Sequence, residues 1–398
     1  MFGWEFPPHN SGGLGTACLG LTRGLSNNNA EVIFVLPKKV DLNVDFIKIV
    51  FGEDGAKRKY FVNSLIQAYS TEDLYNQRLS AEELKKRGIY GANIYDEVDR
   101  YGEIGADIAL SEDFDVIHAH DWLTSKAAVA AKKATGKKLI LHIHATEFDR
   151  SGSNGVNQHV YEIEKMGMEN ADVVVAVSNF TRKKIIENYG IDPNKVKVVH
   201  NAIEFENYAL DQIHDIRKTK KVVLFLGRLT LQKGPDYFVQ AAKKVLEHYP
   251  DVVFVVAGSG DMEKQTIRQV ANEGIADKFI FAGFLRGKDT QAAYQMADLY
   301  VMPSVSEPFG LTPLESLKCD TPVLISHQSG VSEVLNHCLK TDFWDIDDMA
   351  NKIVAVLKHK ELKECLKNNG KEEVKKFNWN EPAKRCVDLY DEVLKGEK

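Results

Sequence analysis

The sequence predicts an α/β protein of two doubly wound, Rossmann-like domains. Short β-branched runs alternate with amphipathic stretches along the chain. The runs are too apolar to be half exposed, which marks parallel strands covered by helices on both faces. The alternation pauses over residues 203–220 and then restarts, and 398 residues exceed the size at which one hydrophobic core keeps growing.

Taken in order, "MFGWEF" offers only a short first strand, and the glycine loop "NSGGLG" at 10–15 precedes a helix over 16–25. "EVIFVLP" is the next strand, followed by helical patterns through 80–110. "DVIHAH", a helix near 123–135, "KLILHIHA", a helix near 157–169 and "ADVVVAVS" complete the first series. The polar stretch "IEFENYALDQIHDIRKTK" lacks an apolar strand and reads as the junction. The second series runs "KVVLFLGRL", a helix at 235–248, "DVVFVVAGSG", a helix at 261–273, "KFIFAGF", a short helix near 288–296 and "LYVMPS". Near the end, Ala383, Val387, Tyr390 and Leu394 recur at helical spacing, as the buried stripe of a terminal helix. The expected domains are 1–205 and 206–379, with helix 380–398 a candidate to pack back on the first.

At 44% hydrophobic and 27% charged the chain is globular, and 51 basic against 57 acidic side chains argue against a general binder of nucleic acid or anionic membrane. The five cysteines are scattered, odd in number and without C-x-x-C spacing, so neither a disulfide framework nor a zinc site is indicated by them. Apolar runs are far too short to span a bilayer. A soluble, cytoplasmic protein is the expectation.

In doubly wound sheets ligands collect beyond the carboxyl ends of strands, which selects the residues after each apolar run. "GRLTLQKG" puts Arg228 and Lys233 in a glycine-bounded loop before a helix, either a phosphate cradle or a solvated loop. Gly12, Gly13 and Gly15 let backbone approach a ligand, or serve an ordinary turn. In "SVSEPFGLTPLESL" (304–317), Thr312, Pro313, Leu314 and Glu315 read as N-cap, N1, N2 and N3, with Thr312 and Glu315 forming a capping box. Glu307 has no such local explanation. His118 and His120 share one face of their strand, as do His142 and His144. An H-x-H zinc hydrolase is disfavoured, because such barrels need about eight strand-helix units in one array; backbone-satisfied histidines are the plainer alternative.

"GGLG", "HAHDW", "GRLTLQKG", "AGSGD" and "EPFGLTPLES" together resemble, in order and spacing, the retaining nucleotide-sugar glycosyltransferases of the GT-B fold, especially glycogen and starch synthase-like members. The resemblance implies two domains facing across a cleft and needs no cofactor and no metal. It implies transfer of a hexosyl group from ADP- or UDP-glucose to the non-reducing end of an α-glucan, or, in other members, to a small-molecule or lipid acceptor. By resemblance Arg228 and Lys233 neutralise the donor diphosphate, Glu315 binds the ribose hydroxyls and Glu307 the hydroxyls of the sugar. The amides of Phe309, Gly310, Leu311 and Thr312 would hold the sugar and the distal phosphate. His120 would lie near the transferred sugar, Gly12 and Gly13 near the phosphates, and Glu147 and Arg150 on a loop facing the acceptor. Bacterial ADP-glucose enzymes carry a lysine in K-x-G-G-L where this chain has Asn10.

Overall fold

The computed structural model describes residues 1–8, 12–39, 42, 44–52, 94–152, 155–204 and 220–396. Asn10, the helical pattern over 80–93 and nearly all of the junction lie outside the described residues. By contacts the chain forms two units. The first comprises Met1–Glu147, Val156–Glu204 and Asn378–Lys398, the second Phe148–Gly155 and Phe205–Phe377.

In the first unit, α1 (Gly13–Asn27), β1 (Ile33–Leu36), β2 (Lys48–Phe51) and α2 (Ile94–Ser111) precede β3 (Val116–His120) and α3 (Trp122–Thr135). Then come β4 (Lys138–Ile143), the single turn α4 (Glu147–Arg150), α5 (Gln158–Asn170), β5 (Val173–Ala176), α6 (Asn179–Tyr189) and β6 (Val196–Val198). Every pairing is parallel, in two ladders, β1-β2 and β3-β4-β5-β6. Phe2 bridges them, pairing with Val35 on one side and Ala119 on the other. Its amide donates to the His118 carbonyl at 2.7 Å, and the His120 amide donates to the Phe2 carbonyl at 3.2 Å. The short first strand expected from "MFGWEF" is therefore reduced to isolated bridges, at Phe2 and Phe6, with Phe2 joining the two ladders.

The terminal helix α13 (Asn380–Lys395) lies in this unit and packs on α1. Its buried stripe is Ala383, Cys386, Leu389 and Val393, so the expected stripe is off by one residue after Ala383, and Leu394 is exposed. The reason is the helix it meets. Gly20 and Gly24 open a groove on α1 for Trp379 and Ala383, which rotates α13 onto that face.

The second unit holds β7 (Lys221–Leu226), α7 (Pro235–His248), β8 (Val252–Ala257), α8 (Glu263–Asn272), β9 (Phe279–Gly283), α9 (Lys288–Met296) and β10 (Leu299–Met302). It continues with α10 (Thr312–Lys318), β11 (Val323–Ser326), β12 (Leu339–Thr341), α11 (Ile346–Lys358) and α12 (Lys360–Val374). The all-parallel sheet runs β12-β11-β10-β7-β8-β9, the Rossmann order 3-2-1-4-5-6 read from its far edge. Strand order reverses between β7 and β10, and that crevice is where such sheets bind ligands. Val223, Phe225, Phe254, Val256, Leu299, Val301 and Leu324 bury one sheet face against α7 and α11. Among the described residues no helix is long and apolar enough to cross a membrane.

Candidate active site

The loops after β7 and β10 meet at the reversal point. Gly234 makes this possible: its φ of +64° suits glycine, and a Cβ there would lie 2.3 Å from the Pro303 carbonyl oxygen. The turn Leu231–Lys233 then leads into α7 with Pro235 in its first turn. Val305 donates its amide to the Gln232 carbonyl at 2.9 Å. On the other side, the Glu307 amide donates to Gln328 O at 2.9 Å, and the amides of Gly330 and Val331 donate to the carbonyls of Glu307 and Phe309 at 2.9 and 2.7 Å. The segment after β10 is thus strapped to the loops after both strands that flank β10.

These straps bring together the cations and carboxylates predicted from sequence. Lys233 Nζ forms an ion pair with Glu307 Oε2, to which Ser304 Oγ also donates at 3.3 Å. Arg228 Nη2 donates to Gln232 Oε1 at 3.4 Å, in the same loop. Glu315 accepts a hydrogen bond from Tyr294 OH at 2.9 Å. Burial pushes the Glu315 carboxyl above the ordinary carboxylate range, while the Tyr294 bond and the positive charge of Lys233 oppose the rise. One ammonium therefore acts on two carboxylates.

The capping box is not formed. Helix α10 has Leu311 as its N-cap with no side-chain cap bond, which makes Thr312 the first helical residue and Glu315 the fourth. Tertiary partners win both side chains. Thr312 Oγ1 lies 2.8 Å from Tyr300 OH, which sits 3.1 Å from the Leu226 carbonyl at the end of β7, and Glu315 goes to Tyr294. Among the described residues, the amides of Gly310, Leu311 and Thr312 meet no protein acceptor. Gly310 has φ +103°, a left-handed backbone that turns the chain from Phe309 into α10. Ser304, Tyr294, Tyr300 and Gln232 were not singled out from sequence, since each looks like an ordinary member of its strand, helix or loop.

In the first unit, Gly12 is the extended N-cap of α1 and Gly13 its first residue, so the helix begins earlier than the expected 16. The Gly15 amide donates to the buried Glu5 carboxylate at 3.1 Å. Glu147 is tied into its own loop: its carboxylate accepts the Asn157 amide at 3.2 Å, and its amide donates to Glu164 at 3.1 Å. Arg150 belongs to Phe148–Gly155, which groups with the second unit rather than the first domain expected from sequence. The cause is local: Ser306 Oγ donates to Asp149 at 2.6 Å, and Gly152 packs on Leu231.

His120 ends β3 and is wholly buried. With His118, His142 and His144 it forms a stack of imidazoles, because β3 and β4 pair with His120 opposite His142. His120 Nδ1 lies 3.0 Å from His144 Nε2, His118 Nε2 lies 3.3 Å from His142 Nδ1, and His118 Nδ1 lies 2.6 Å from Tyr390 OH. Burial first, and mutual repulsion second, hold His118, His120 and His142 well below the usual histidine range; burial takes His144 down to about 3. Beside them Asp121 adopts φ +58° and accepts the His144 amide at 2.6 Å. His118, His120 and His142 each offer a ligand atom, and these lie within 4.8 Å of one another.

Residues 207–373 match the family described as Glycosyl transferases group 1, and residues 104–207 match Glycosyltransferase Family 4. An uncharacterized glycosyltransferase of Methanocaldococcus jannaschii, MJ1607, is 30% identical over 98% of this chain and 97% of that protein. A Mycobacterium tuberculosis glycogen synthase is 25% identical over 84% of this chain and 79% of that one. At the same identity, a D-inositol 3-phosphate glycosyltransferase of Salinispora tropica matches 97% of this chain and 82% of its own length. Among solved structures, sucrose-phosphate synthase from Thermosynechococcus elongatus superposes with a TM-score of 0.76 at 18% identity, over 97% of this chain and 95% of that one.

Proposed function

The chain belongs to the group 1 glycosyltransferases of GT-B fold, and we propose that within them it moves a hexosyl group from ADP- or UDP-glucose to the non-reducing end of an α-glucan, with retention of configuration. The observation that carries the donor side is the gathering of Arg228, Lys233, Glu307 and Glu315 where strand order reverses in the second unit. The glycogen synthase relative supports the glucan acceptor.

Breaking the bond from anomeric carbon to phosphate leaves negative charge on the nucleoside diphosphate. Fixed cations in a site shielded from water stabilise that charge as it develops, because no reorganisation is needed at the moment of reaction. Lys233 and Arg228 take this role. Glu307 turns to the hydroxyls of the sugar and Glu315 to the ribose, and the amides of Phe309, Gly310, Leu311 and Thr312 receive sugar and phosphate oxygens. As the bond to the leaving oxygen breaks, the acceptor oxygen bonds the anomeric carbon from the same face and its proton passes to the departing phosphate. In this reading His120 supports the sugar, Gly12 and Gly13 approach the phosphates, and Glu147 and Arg150 attend the acceptor. The chemistry calls on no cofactor and no metal. All five cysteines are free, which suits a reducing, cytoplasmic setting.

A second acceptor reading, a small phosphorylated polyol, is favoured by the inositol-phosphate relative, which spans more of this chain than the glycogen synthase does. Nucleotide release from ADP-, UDP- and GDP-glucose separates the readings when measured with glycogen, with inositol phosphate and with a lipid-linked sugar. Stimulation by glycogen alone supports the glucan reading, and stimulation by either other acceptor replaces it. NMR of the product's anomeric proton tests retention.

A further inference from the structure

We propose that the imidazole stack of the first unit binds a divalent transition metal ion of the Zn2+ class, held by His118, His120 and His142, a structural site that takes no step in the transfer but fixes the ring of His120, which the proposed function sets beside the sugar. The three side chains sit at the carboxyl ends of the adjacent parallel strands β3 and β4 and are almost completely buried. Their ligand atoms lie within 4.8 Å of one another. Nε2 of His120 and Nε2 of His142 are buried and meet no hydrogen-bond partner among the described residues. A lone buried imidazole nitrogen is costly, and Nε2 of His120, whose other ring nitrogen is already taken by His144, asks for a ligand that accepts its lone pair.

One pair in the cluster already stands at the spacing of two ligands on one ion, and a small inward turn of the third ring closes the 4.8 Å span. His118 Nε2 and His142 Nδ1 are 3.3 Å apart. Two nitrogens at the usual Zn–N length of about 2.05 Å in a tetrahedron stand about 3.3 Å from each other. Outer partners are present as well: Tyr390 OH holds His118 Nδ1 at 2.6 Å, and His144 Nε2 holds His120 Nδ1 at 3.0 Å. Metal-bound histidines are oriented in this way through their second ring nitrogen. An all-imidazole donor set selects Zn2+, Co2+, Ni2+ or Cu2+ over Mg2+ and Ca2+, which take oxygen ligands. The ion would clamp β3 to β4 and, through Tyr390, fasten α13 to the sheet.

The test uses the full chain, stripped with chelator and then unfolded and refolded with or without Co2+ or Zn2+, so that a closed site can load. One equivalent of Co2+ with the visible absorption of tetrahedral nitrogen ligation, displaced by Zn2+, is expected, together with a higher melting temperature for the loaded protein. His142→Gln and His118→Gln should each abolish stoichiometric binding. Should these variants fail to fold, X-ray absorption at the zinc edge of the wild-type protein decides, with about three imidazole rings expected around the metal. Refolded protein that takes up no metal, metal retained in both variants, or a zinc shell without histidine overturns the proposal; the first outcome leaves a water molecule as the partner of His120 Nε2.

Discussion

Lys233 and Glu307, 74 residues apart in sequence, form a largely buried ion pair at the ends of the neighbouring strands β7 and β10. With Arg228 and Glu315 the site holds two cations and two carboxylates, so its charges balance before any ligand arrives. A diphosphate that draws the positive charge of Lys233 to itself weakens this pair and leaves the Glu307 carboxylate available to hydroxyls of the sugar. Lys233→Ala is therefore expected to lower turnover by about 10²-fold or more, the scale of losing one preorganised charge stabiliser. It should also cost about 3 kcal/mol of stability, because Glu307 is left buried and unpaired. Turnover close to wild type at saturating donor would remove Lys233 from the mechanism.

Glu315 makes the opposite trade. Burial raises its carboxyl above the ordinary range despite Tyr294 and Lys233, so ionised Glu315 costs the fold stability at neutral pH. The sign follows from the raised value: the stabilising contribution is full below the unfolded pKa of about 4.3 and is lost as pH rises through the folded one. Glu315→Gln should melt higher than wild type at pH 8, and the gap should close as pH falls below about 4. The same variant is expected to bind donor more weakly. A melting difference that grows on acidification would contradict this assignment of the charge.

Asp298 shows the reverse sign in the same unit. Burial alone would raise its carboxyl, but bonds from Lys363 and the Val222 amide, with the charges of Lys363 and Lys221, hold it below the usual range. Its contribution is present above the unfolded pKa of about 3.9 and is lost as pH falls through the folded value. Asp298→Asn should lose about 2 kcal/mol at pH 7, the scale of hydrogen bonds to a charged group. Denaturant titrations should find that loss shrinking toward pH 3. A penalty independent of pH would mean that shape rather than charge matters there.

The parallel strands were legible because a strand buried on both faces must be apolar throughout, and the ligand side followed because loops after such strands converge. Arg228 and Lys233 were found by that rule, whereas Glu307 and Glu315 took their place in the site from the family resemblance, and the structure gathers all four. The three- and four-residue strands β2, β6, β11 and β12 were not anticipated, since runs so short carry little periodicity. The capping box failed for a different reason. Its residues fit the local pattern, but the competing hydroxyls, Tyr300 and Tyr294, are supplied 12 and 21 residues away and only folding brings them near. The stripe of α13 was misplaced for the same cause: helical spacing identifies a face to within a residue, and the partner helix decides which residue it is.

That partner surface supplies the last prediction. A Cβ at Gly20 would lie 2.0 Å from the Trp379 indole nitrogen, whereas one at Gly24 would lie 2.4 Å from the Trp379 carbonyl oxygen. Alanine is the better helix former by about 1 kcal/mol, so either substitution would stabilise an isolated α1. In the folded protein both should destabilise, because overpacking costs about 1–3 kcal/mol and here the gap is closed outright. The two differ in how they can be relieved. Shortening the side chain with Trp379→Leu should recover part of the loss in Gly20→Ala but none in Gly24→Ala, where the obstacle is main chain. Melting temperatures of the three single variants and the two double variants test this, and equal rescue at both positions would show that α13 shifts as a whole rather than being pinned by its backbone against α1.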